Sequence, residues 1–168
     1  MDIIETITTR YSVRNFTDRP VSEEQLHTLL EAGFCAPSAC NLRPWEFIVI
    51  QDRAVLNDIA KHGRFQKMFR SAPLGILVCG NIKRSINRDL MINDCSAAAQ
   101  NILLAAHGIG LGGCWCGIAE KPARDYFTEK FGLPENIEAI ALLAIGHPDE
   151  QRTQPDRYNA EKVHYEKF

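Results

Sequence analysis

The residues from Asp89 to His107 constrain the fold of this chain most tightly. Met91, Ile92, Cys95, Ala98, Ala99, Ile102, Leu103 and Ala106 recur at three or four residues, the period of one helix face. At about 1.5 Å per residue such a helix runs roughly 30 Å, close to the width of a small domain. Its middle, Ser96-Ala97-Ala98-Ala99, carries only small side chains, so another backbone can approach it closely. A helix this long and slender belongs at the centre of a fold, with the other elements packed around it.

Those elements are legible on either side. Met1 to Thr9, with Ile3, Ile4 and Ile7 on one face, reads as a short amphipathic helix. Ser22 followed by Gln25 is a capping-box pattern opening a helix from Glu23 to Phe34, with Leu26, Leu29 and Leu30 facing inward. Asp52 caps a helix from Arg53 to Lys61, and Lys121 to Lys130 forms a shorter one. Apolar runs at Phe47–Ile50, Gly75–Cys79 and Ile137–Ile145 read as buried strands. With helices and strands interleaved and few short strands visible, the expectation is one α+β domain over residues 1–168, built on a mixed sheet.

A chain of 168 residues can bury about 70% of its unfolded surface. Its 45% apolar and 24% charged content is ordinary, and a net charge of −2 carries no nucleic-acid signal. No apolar run approaches the roughly 18 residues that span a bilayer, and no signal segment opens the chain, so a cytoplasmic location is expected. The six cysteines then read as reduced, buried thiols. Cys114-Trp115-Cys116 lacks the C-x-x-C spacing of zinc ribbons, so no metal is expected.

Gly108-Ile109-Gly110-Leu111-Gly112-Gly113 matches G-x-G-x-x-G letter for letter. A dinucleotide fingerprint must follow a strand and open a helix, whereas these glycines follow a helix. A helix C-cap running into a tight turn accounts for them instead. Arg10, Ser12 and Arg14 alternate, so an extended chain puts all three on one side, where guanidiniums can grip an anion. A solvated edge strand reads the same way. Pro37-Ser38-Ala39-Cys40-Asn41-Leu42-Arg43-Pro44-Trp45 is a stiff polar loop, a connector or a binding segment by its own residues. Arg157 alone is a surface arginine.

Taken together, Arg10-Tyr11-Ser12-Val13-Arg14, the Pro37–Trp45 loop, Gly110–Gly117 and Arg157 resemble the FMN-dependent nitroreductase family over nearly the whole chain. The resemblance implies a three-layer α/β/α sandwich with a mixed, mainly antiparallel sheet flanked by helices. It implies a homodimer with FMN at the subunit interface. Arg10 and Arg157 would contact the phosphate, with Tyr11 in the same segment and Ser12 in support, and Arg14 would lie at the N1/O2 edge of the ring. Pro37, Ser38, Asn41 and Arg43 would reach the other subunit's flavin, Gln66 its pyrimidine edge, and the backbone around Cys116 and Gly117 its N5. The chain departs from the family at Leu42-Arg43, where many relatives carry Gln, and at Pro155, where many carry Lys.

The implied activity is ping-pong hydride transfer from NAD(P)H, the co-substrate, through flavin N5 to a nitroaromatic, a quinone or a similar small acceptor. No acid–base side chain is required, and none is assigned a catalytic role. Two alternatives stand beside this: a flavin-binding sensor or store without turnover, and a same-fold flavin enzyme of different chemistry.

Overall fold

The computed structural model describes residues 1–63 and 65–168. A basic stretch of the sequence, residues 64–70, therefore begins at a residue outside those described. Five helices and four strands follow in the order α1 (Ile3–Thr9), α2 (Glu23–Phe34), β1 (Trp45–Ile50), α3 (Arg53–His62), β2 (Leu74–Asn81), α4 (Arg88–Gly108), β3 (Gly112–Gly117), α5 (Lys121–Phe131) and β4 (Ile137–Gly146).

Local chemistry fixes the helix starts. Ser22 Oγ accepts from Gln25 N, and Gln25 Oε1 accepts in return from Ser22 N, closing the capping box. Asp52 takes two amides at the head of α3. Asn87 takes Leu90 N at the head of α4.

The sheet order is β1-β2-β4-β3, and every pairing in it is antiparallel. The parallel component expected of a mixed sheet reduces, among the described residues, to a single bridge between Ser12 and Gly113. Alternation along β2 divides the core into two layers. Ile76 and Val78 join Leu26 and Leu29 of α2 and the apolar stripe of α4. Leu77 and Cys79 join Leu56 and Ile59 of α3 and Phe127 of α5. Helices thus cover both sheet faces, which gives the three-layer sandwich. The helix at 88–108 is central, as its small side chains indicate: Ala98, Ala99 and Ala106 are fully buried.

Two expectations need correction. On α1 it is Thr6 that is buried, whereas Ile3, Ile4 and Ile7 face outward at 74%, 66% and 50% exposure. Packing of Thr6 against the end of α4 turns the isoleucine face away from the core. Of the six cysteines, Cys35 and Cys40 are exposed, the first at the C-cap of α2 and the second in the surface turn Ala39–Asn41.

Candidate functional site

The segment after α1 is clamped between β3 and the chain beyond β4. Val13 N donates to Gly113 O at 3.0 Å, and Thr17 N to His147 O at 2.9 Å. Glu150 closes the clamp: its Oε1 accepts from Arg14 N at 2.6 Å and Asn15 N at 3.2 Å, and its carbonyl accepts from Tyr11 Oη at 2.7 Å. These amides, with Arg152, hold the Glu150 carboxyl below the usual range. The approach to β3 depends on Gly112, where a Cβ would lie 2.5 Å from Val13 Cγ2.

This segment leads into a cavity of about 1080 Å³, lined by Arg14, Gln66, Met68, Cys114, Cys116 and Gly117 among others. Cys114 and Cys116 share one face of β3 and are both buried. The Cys114 thiol is lowered to about 7, first by its pairing with the Cys116 thiol, then by Arg14, Ser12 and Arg10, against the opposing effect of burial. Cys116 is pushed up by the same pairing and by burial. Its Sγ lies 3.5 Å from Met68 Sδ and donates to Phe65 O at 3.3 Å.

Gln66 supplies the other informative wall. Its side chain is buried, and among the described residues its Oε1 has no hydrogen-bond partner. A buried amide oxygen without a donor is costly unless a ligand or water brings one.

Of the residues the sequence singled out, the fold brings Arg14, Gln66, Cys116 and Gly117 to this cavity, with Arg10 and Ser12 close enough to act on Cys114. Tyr11 points its hydroxyl to Glu150 instead. Pro37, Ser38, Asn41 and Arg43 lie on a separate loop and do not line it. Arg157 lies on the exposed tail, where it donates to Gln154 Oε1.

Sequence reasoning missed Glu150, Met68 and Asp94. The clamp role of Glu150 has no local signature, since Tyr11, Arg14 and Asn15, which it holds, are over a hundred residues away in sequence. Asp94 did leave one: it stands on the buried stripe of α4, three residues after Met91 and four before Ala98.

Comparison with known proteins agrees with this geometry. The family model described as the nitroreductase family matches residues 7–64 and 60–147. A provisional NADH dehydrogenase/NAD(P)H nitroreductase of Methanothermobacter thermautotrophicus is 37% identical over 169 residues, covering 100% of this chain and 88% of that protein. The crystal structure of a Parabacteroides distasonis protein given the same provisional name superposes with a TM-score of 0.94 at 36% identity, covering 99% of this chain and 98% of the other. An FMN-dependent nitroreductase of Clostridium difficile gives 0.89 at 31% identity, covering 98% and 99%. The chain belongs to the nitroreductase family.

Proposed function

We propose that this chain is an FMN-dependent oxidoreductase that draws on NAD(P)H and reduces a nitroaromatic, a quinone or a similar small acceptor, working as a homodimer. The observation that carries the cofactor assignment is the buried, unpartnered Oε1 of Gln66, a residue that lines the same cavity as Arg14. An acceptor oxygen and a guanidinium in one cavity match the N–H donor and the charge-accepting edge of a flavin's pyrimidine ring. When bound, FMN supplies the redox chemistry, relaying two electrons between a nicotinamide and the acceptor.

The chain's own residues bind and orient. Arg14, exposed at the cavity mouth and fixed through its backbone by Glu150, offers positive charge where reduction builds up negative charge. Gln66 accepts a ring N–H. Among the described residues nothing lies within 4 Å of a Cβ added at Gly117, which leaves its backbone open to a planar group. Arg10, Ser12 and Arg157 take the phosphate. Stacking of donor and acceptor against one fixed ring supplies much of the rate, with no acid–base triad.

Homodimerisation accounts for the residues left outside the cavity. Pro37, Ser38, Asn41 and Arg43 stand on an outlying loop, suited to reach a second subunit's cofactor. The outward isoleucines of α1, with Phe34 at 58% exposure, provide apolar surface for a second copy to cover. Six unpaired cysteines suit a reducing cytoplasm. Among the described residues, no helix is long and apolar enough to cross a membrane.

Cofactor binding is tested by equilibrium titration of the purified, flavin-stripped protein with FMN. Saturable uptake is expected, weakened in Gln66→Leu, which removes the acceptor. A protein that takes up no FMN contradicts the assignment.

A further inference from the structure

Four non-glycine residues among those described have positive φ, and three lie in the loop between α2 and β1: Cys40 at 49°, Asn41 at 55° and Arg43 at 49°. Each sets Cβ against a carbonyl oxygen, so a loop holding three is kept in place by its surroundings.

Within the loop, Ser38 Oγ accepts from Arg43 N and Asn41 Oδ1 accepts from Arg43 Nε, both at 2.9 Å. These bonds leave the Ser38 hydroxyl proton, the Asn41 amide hydrogens and the Arg43 Nη hydrogens available as donors. They tie the loop to itself and do not anchor it to the body of the protein. The anchor is Asp94 on α4, whose Oδ1 accepts from Ala39 N at 3.0 Å. Ala39 opens a short 3-10 turn through Asn41 that Ser38 does not cap with its side chain. Asp94 therefore caps that turn from another element.

Asp94 is only 7% exposed, next to buried Cys95, and its Oδ2 has no partner among the described residues. An apolar side chain would serve the core better there, since a half-satisfied buried carboxylate costs stability. Core packing thus gives no reason for an aspartate at this position, whereas the loop does.

We infer that Asp94 is a positioning residue: it locks the Pro37–Arg43 loop in its left-handed conformation and so aims the Ser38 and Asn41 donors. That those donors meet a flavin across the dimer rests on the proposed function. The lock itself does not.

The test compares Asp94→Ala with Asp94→Asn, which keeps an Oδ1 acceptor for Ala39 N. Each full-length variant is measured for amide hydrogen exchange over residues 38–43 without flavin, and for FMN affinity. Asp94→Ala should exchange faster across the loop and bind FMN roughly tenfold more weakly, the equivalent of one lost hydrogen bond. Asp94→Asn should stay close to the parent in both. Adding Cys40→Gly, which relieves one left-handed position, should recover part of the loss. If Asp94→Ala does not fold, Asp94→Leu fills the space without an acceptor. Parental loop exchange in the acceptor-less variant overturns the lock whatever its melting temperature, and so does an asparagine variant as impaired as the alanine one. If the parent binds no FMN, the proposed function fails while loop exchange still decides the role of Asp94.

Discussion

Cys114 shows how single residues register the field of this cavity. Its thiol lies within the influence of Cys116, Arg14, Ser12 and Arg10, and their sum outweighs burial to bring it to about 7. The folded value lies below the ordinary one of 9.0, so this group stabilises the fold fully above pH 9 and loses that contribution as pH falls through 7. Ultraviolet absorbance of the thiolate should accordingly show a component titrating near pH 7, absent in Cys114→Ser and shifted upward in Cys116→Ser. A titration confined to the ordinary thiol range contradicts this reading of the field around Cys114. Arg10 acts in the same field, and Arg10→Ala should weaken FMN binding by about 1.5–3 kcal/mol, the range for a charge-assisted bond. Unchanged affinity on titration removes Arg10 from the site. The alternation of Arg10, Ser12 and Arg14 was visible in the sequence; their convergence on Cys114 was not, because it depends on a bridge to β3 more than ninety residues away.

At the scale of elements, legibility followed local chemistry. The capping box placed α2 at Glu23–Phe34, the bounds observed, and Asp52 placed the start of α3. Ser22→Ala should cost about 1 kcal/mol in chemical denaturation, the usual value of a lost cap. The strand β3 was invisible because Gly112-Gly113-Cys114-Trp115-Cys116-Gly117 has little intrinsic strand preference. Pairing with β4 along its whole length makes it a strand. Its glycines serve contact more than turning: Gly112→Ala would drive a methyl into Val13, costing about 1–3 kcal/mol as an overpacked core does. The same variant should loosen FMN, since the arginine segment would be lifted from β3. Parental stability and affinity would show that this close approach is not needed.

The whole molecule has surfaces that one copy leaves uncovered. The amphipathic pattern of α1 was correctly seen as a helix with an apolar face, but which way that face turns depends on what packs beneath it. Thr6 packs inward and the isoleucines remain outside. Under the proposed homodimer, Ile4→Glu should yield a monomer in light scattering and weaken FMN binding, because the Pro37–Arg43 loop would no longer reach a second subunit's site. A dimer unaffected by that charge would place the interface elsewhere. The resemblance implied that the Pro37–Arg43 loop serves the other subunit's flavin, and on one chain that loop does stand apart from the cavity. The central claim is turnover on a bound flavin, and it is tested most directly by mixing the FMN-loaded protein with NAD(P)H under anaerobic conditions. The flavin absorbance should bleach within the mixing experiment and return when menadione or a nitroaromatic is added. A flavin that stays oxidised with both NADH and NADPH would contradict the account and leave a protein that binds FMN without using it.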